Sequence, residues 1–166
     1  LDEIPLPKEG PPGGSAWHPW IKSLHECALY EAYFDNEKKR IAIAAYLGMC
    51  SFVDSNVGKI LGALGEAGLG DSTRIVFASD HGVAVGRHGL QGKQNLYEHT
   101  WKVPFFVKGP GIAAEAESDA MIYLADVLPT LCDLAGIPIR PSIDGISFRP
   151  VLEGAAKSAR DVVYGA

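Results

Sequence analysis

The 166 residues are 47% hydrophobic and 21% charged, ordinary globular values with room for one domain and a real core. A net charge of −5 supplies no basic cluster for a nucleic-acid backbone, though a cleft on an acidic protein can still be locally positive for a small anion. The three cysteines, Cys27, Cys50 and Cys132, are scattered and show no CxxC spacing, which excludes a disulfide framework and a structural zinc site.

Residues 1–35 form a proline-rich segment, expected to be irregular because proline and glycine interrupt both helix and central strand. The chain opens Leu1-Asp2-Glu3, without Met or a basic stretch, and so reads as a processed or excised piece. Trp17-His18-Pro19-Trp20 is too aromatic for a mere linker. Residues 36–166 read as one α/β region. A helix is predicted from about Asn36 to Ala67, with Tyr46, Met49, Cys50, Val53, Val57, Ile60, Leu61 and Leu64 recurring at spacings of three and four. Asp35 or Asn36 suits its start and Gly68 its left-handed end. Gly48, Gly58 and Gly62 inside it suggest close packing on a sheet. No continuous apolar run approaches the roughly 20 residues of a membrane span.

Arg74 to Ala78 reads as a buried parallel strand, Val103 to Val107 as another. Asp126 to Ala135 is a short helix with Pro129 in its first turn and Gly136 at its close. Ser147 to Glu153 gives a last helical turn and Val162 to Tyr164 a final strand. Cys50 and Cys132 lie in apolar runs and are expected in the core.

The chemistry concentrates where the first strand ends, in Phe77-Ala78-Ser79-Asp80-His81-Gly82. Ligands of open α/β sheets bind beyond the carboxyl ends of strands. Asp80 and His81 would be delivered there, with Gly82 permitting a sharp turn. Gly86, Gly89 and Gly92 allow a tight loop that presents Lys93, a point charge suited to a sulfate or phosphate oxygen. A carboxylate, an imidazole and a lysine suit a metal-assisted site for an anionic ester. On spacing alone the same residues also fit a capping Asp with a packed His beside it, and a solvated surface lysine. His88 and His99 offer imidazoles for ligation, orientation or proton transfer, or for local packing. Trp17 and His18 are candidate substrate contacts, as readily exposed to solvent.

With the flanking segments the pattern becomes specific. Ile75 to Gly82, Gly89-Leu90-Gln91-Gly92-Lys93-Gln94-Asn95-Leu96-Tyr97-Glu98 and Val103-Pro104-Phe105-Phe106-Val107-Lys108-Gly109-Pro110-Gly111-Ile112 resemble the second signature region of the sulfatases, of the alkaline phosphatase superfamily. Asp126-Val127-Leu128-Pro129-Thr130-Leu131, Leu134-Ala135-Gly136-Ile137-Pro138 and Asp144-Gly145 are similar to the family's next block, and the helix with Asp54-Ser55-Asn56-Val57-Gly58 to the one before the signature. The start, with Trp17 to Ile21, resembles the iduronate-sulfatase-like branch.

The resemblance implies an alkaline-phosphatase-like α/β sandwich with a mostly parallel central sheet, present only as its C-terminal portion. It implies hydrolysis of the sulfate ester of a small molecule or glycan at a divalent cation, usually calcium. Asp80 and His81 match metal-ligand positions, and Lys93 the lysine that holds the sulfate. Calcium prefers oxygen ligands and imidazole suits softer ions, so manganese also fits. The Asp-His pair resembles the related phosphonate monoester and phosphodiester hydrolases as well. No cysteine begins the family's Cys/Ser-x-Pro/Ala-x-Arg motif: two residues after Cys27, Cys50 and Cys132 stand Leu29, Phe52 and Leu134. The formylglycine nucleophile is therefore expected outside this chain, and the isolated chain is expected to be inactive. A sulfatase-like binding protein without catalysis is the non-enzyme alternative. The missing N-terminal half, or self-association, should cover exposed edges. The family favours an exported protein.

Overall fold

The structure is a computed structural model that describes residues 1–8, 19, 22–23, 34–93 and 95–165. Trp17 and His18 lie outside these. Pro19, Lys22 and Ser23 carry helical backbone, so residues 1–35 are not irregular throughout. The chain forms two compact units, residues 1–70 with 81–103 and residues 71–80 with 104–166.

In the first unit α1 spans Asn36–Glu66. The Asp35 side chain caps it by accepting from the Lys38 backbone N–H at 2.8 Å. At the other end Gly68 adopts φ +69°, and the N–H groups of Gly68 and Leu69 return to the carbonyls of Gly65 and Leu64. This doubly bonded left-handed close stops the helix where the sequence predicts. The Arg40 guanidinium donates to the Ile4 carbonyl at 3.2 Å and ties the first residues to the helix.

The expected packing of α1 is not present among the described residues. No residue of the helix is buried, and a Cβ at Gly48, Gly58 or Gly62 would meet nothing within 4 Å. Cys50 is exposed and Cys132 half-buried, so neither is the core filler expected. A second expectation also changes. By length and composition α1 is long and apolar enough to cross a membrane, although Ser51, Asp54, Ser55 and Asn56 break its apolar run.

In the second unit β1 (Ile75–Ala78) and β2 (Phe105–Lys108) pair antiparallel, with Ile75 opposite Lys108 and Phe77 opposite Phe106. The strand read from Arg74 to Ala78 as buried and parallel is half-exposed, and its neighbour among the described residues is antiparallel. A parallel strand needs a neighbour running its own way, and the described partner runs the other way. With one neighbour, Phe77 and Phe106 stay exposed, their rings 6.1 Å apart. Gly109, at φ +136°, lies where a Cβ would come within 2.7 Å of the Thr73 carbonyl oxygen and the Arg74 Cα. Only glycine allows the chain to leave β2 so close to the start of β1.

Between the units' strands in sequence lies α2 (Glu98–Trp101), in the first unit. In the second, α3 (Val127–Leu134) and α4 (Arg149–Leu152) appear where helical turns were expected. Arg74 donates to the carbonyls of Pro110 and Leu134, each at 2.9 Å, and fastens β1 to the end of α3. Phe148 is buried edge-on to Phe105 at 5.6 Å. The centre of this unit is polar. Asp126 is fully buried, accepting from the N–H groups of Tyr123 and Ile146 at 2.9 and 2.8 Å and from both arms of Arg160. Val162 to Tyr164 is not a strand; the Tyr164 backbone is instead held by the Tyr123 hydroxyl.

Candidate active site

The segment from His81 to Trp101 folds on itself within the first unit. Gly82 N–H donates to the Thr100 carbonyl at 2.9 Å, Ala84 N–H to Gly92 at 3.0 Å and Gly86 N–H to Leu90 at 2.7 Å. Ala84, Leu90 and Thr100 are buried beneath these contacts. Asn95 braces the return: its carbonyl oxygen accepts from the Thr100 hydroxyl at 2.8 Å and from the Tyr97 N–H at 3.1 Å. Gly82 has no substitute, because a Cβ there would sit 1.9 Å from the His99 carbonyl oxygen.

This folding brings His81 and Lys93 together, twelve residues apart, with Lys93 Nζ 2.6 Å from His81 Nε2. His81 Nδ1 lies 3.1 Å from the Gly82 carbonyl oxygen. A carbonyl can only accept, so the hydrogen of the neutral ring is assigned to Nδ1 and the lone pair to Nε2. His81 is half-buried and Lys93 exposed. Asp80 immediately precedes His81 and is exposed at the end of the stretch that follows β1.

His88 and His99 are brought together around a third ring. His88 stacks on Tyr97 with centroids 3.9 Å apart and planes 14° apart, and His99 lies 5.6 Å from Tyr97 and 5.7 Å from His88. The loop reaches this stack through strained backbone: Val85 has φ +43° and His88 φ +54°. A β-branched residue in that region is an outlier, of the kind held only where the surroundings over-determine it. Sequence reasoning missed Tyr97 and Asn95 as members of the site. Their signal was available, since both stand in the segment Gly89 to Glu98 that carried the resemblance.

Among the described residues no group of three or more His, Cys, Asp or Glu side chains could hold a metal ion. Asp80 and His81 offer a carboxylate and an imidazole nitrogen as donor types, the nitrogen already facing Lys93 Nζ. That donor chemistry suits a share in a divalent-cation site, and a six-coordinate cation requires further donors.

The sulfatase family profile matches residues 17–137. The chain is 33% identical over 156 residues to arylsulfatase K of Bos taurus, a match over 90% of this chain and 27% of that protein. It is 38% identical over 125 residues to the choline-sulfatase of Rhizobium meliloti, over 74% of this chain and 24% of that protein. Among solved structures it is similar to the phosphonate monoester hydrolase SpPMH from Silicibacter pomeroyi, with TM-score 0.82 and 30% identity over 93% of this chain and 33% of that one. Sequence and fold alike resemble sulfatases and a phosphonate monoester hydrolase. The chain belongs to the sulfatase family. It spans 24% to 33% of the length of these relatives.

Proposed function

We propose that this chain forms one wall of the active site of a sulfuric ester hydrolase acting on a sulfated small molecule or glycan. The observation that carries this reading is the 2.6 Å approach of Lys93 Nζ to His81 Nε2 in a chain of the sulfatase family. One loop holds both the cation's ligand and the anion's ammonium.

In this reading Asp80 and His81 contribute to a divalent-cation site, calcium on family weight and manganese on ligand chemistry. The other ligands and the formylglycine come from outside this chain. When bound, the cation withdraws charge from the ester oxygens. His81 offers its Nε2 lone pair on a ring oriented by the Gly82 carbonyl. Lys93 places an ammonium against the sulfuryl oxygens and offsets the charge that grows there in the transition state. The stack of His88, Tyr97 and His99 stiffens the loop and could border the substrate, as could Trp17 and His18. Residues 36–166 are then the later part of the catalytic domain. A mostly parallel sheet in an alkaline-phosphatase-like sandwich would be completed by strands from elsewhere. The same additional chain, or self-association, would cover α1 and exclude it from a membrane. Export is the compartment this family favours.

A phosphonate monoester or phosphodiester hydrolase is the second reading, favoured by the similarity to SpPMH and by a histidine at position 81. Assaying the longer protein that this reading requires on 4-nitrophenyl sulfate and phenyl 4-nitrophenyl phosphonate separates them. We expect the sulfate ester to have the higher kcat/KM. The opposite order would replace the sulfatase by the phosphonate hydrolase. Hydrolysis of neither, with no divalent metal bound, would make this a binding protein.

A further inference from the structure

His81 has one lone pair to give, and Lys93 already holds it. With the ring hydrogen on Nδ1, facing the Gly82 carbonyl at 3.1 Å, only Nε2 can accept. The Lys93 ammonium lies 2.6 Å from that atom, a short, charge-assisted distance. A cation coordinated by imidazole takes the same in-plane pair, so metal and ammonium cannot share the nitrogen. The proposed function therefore asks two things of one atom.

We propose that Lys93 and the divalent cation compete for His81 Nε2, so that loading the metal releases the Lys93 ammonium to the substrate anion. The inference rests on the metal site of the proposed function and adds an order of events to it.

The two partners differ in freedom. The ring is the fixed member. Its backbone is followed by Gly82, which donates to the Thr100 carbonyl at 2.9 Å and lies too close to His99 for any side chain. Its Nδ1 is turned to the Gly82 carbonyl. Lys93 is the movable member, an exposed ammonium on a flexible four-carbon stem that follows Gly92. When a cation arrives, the ammonium is the group that moves. It cannot stay beside a second positive charge, and an ester oxyanion is the partner of opposite sign. Before the cation arrives, the positive charge needed for the anion is held against the ring. Cation and anion binding are thereby linked in the favourable sense, each raising the affinity for the other.

The test uses the longer protein that the proposed function requires, its Lys93→Met variant and NMR of the His81 ring. In the metal-free protein, Lys93→Met should shift the His81 Nε2 nitrogen resonance, because the ring loses its donor. An unshifted resonance overturns the competition and leaves the metal reading standing. Titration with Mn2+ should broaden the His81 ring signals at about threefold to tenfold lower concentration in Lys93→Met, the worth of one lost hydrogen bond. That gain should persist at about 1 M KCl, where the Debye length falls to about 3 Å and repulsion between exposed charges is much weakened. Equal midpoints, or a gain that vanishes in salt, overturn the proposal, the latter because charge repulsion alone would then account for it. If Mn2+ broadens His81 in neither protein, the metal site of the proposed function falls and the competition falls with it.

Discussion

The clearest residue in the second unit is a buried charge rather than an apolar side chain. Asp126 is fully buried and keeps its charge because four donors converge on it. Burial alone would raise its pKa. The Arg160 guanidinium and the N–H groups of Tyr123 and Ile146 more than offset that and hold the carboxyl below the ordinary aspartate value. Because the folded pKa is the depressed one, the group stabilises the fold above the ordinary value of 3.8 and loses that contribution as pH falls through its folded value. Asp126→Asn should cost about 3 kcal/mol near neutral pH, in the range for breaking a buried pair, and should flatten the acid limb of a stability-against-pH curve. Equal acid sensitivity in both proteins would remove Asp126 as its source. Asp126 was legible in the sequence as a member of a family block, but its burial was not, because Arg160 lies 34 residues away. His81 and Lys93 were legible for the opposite reason. One short loop carries both, and its glycines stand in the sequence.

At the scale of elements, what local chemistry decides was readable and what distant pairing decides was not. The ends of α1 follow from Asp35 and Gly68, each acting within one turn. The direction of β1 depends on β2, whose paired residues lie 27 (Ala78↔Phe105) to 33 (Ile75↔Lys108) positions on, and no local signal fixes it. The final strand failed similarly, since Tyr123 and not a neighbouring strand holds Tyr164. The faces of α1 divide by size, with Ala44, Gly48, Ser51, Ser55, Gly58 and Gly62 in one row and Met49, Phe52, Val53 and Ile60 elsewhere. In the chain alone Gly58 meets nothing, so Gly58→Ala should raise stability by about 1 kcal/mol, read as a higher thermal midpoint. A loss of stability would mean that this face is already packed. In a longer sulfatase that packs the row, the same change should destabilise instead.

For the whole molecule the outstanding fact is exposed apolar surface. Phe52, Ile60, Leu61, Phe106, Leu128 and Ile137 are all open to solvent among the described residues. Exposed apolar side chains of this number suit an interaction face or an aggregation liability. The chain spans between a quarter and a third of its relatives, which supplies a reason for such a face. Sedimentation of the purified chain should show concentration-dependent self-association, with bound dye reporting apolar surface. A stable, dye-free monomer would mean that α1 is covered in some other way. The family was thus legible, while the two strands of the described residues do not display the sandwich or the mostly parallel sheet.

The central claim is that Lys93 acts on the anion from one wall of a shared site. Its most direct measurement is kcat/KM for an aryl sulfate in the longer protein, with and without Lys93→Ala. Loss of a charged transition-state donor predicts a fall of about 100-fold or more, with the metal content not reduced. Activity within about twofold of the parent would contradict the account and return Lys93 to the surface.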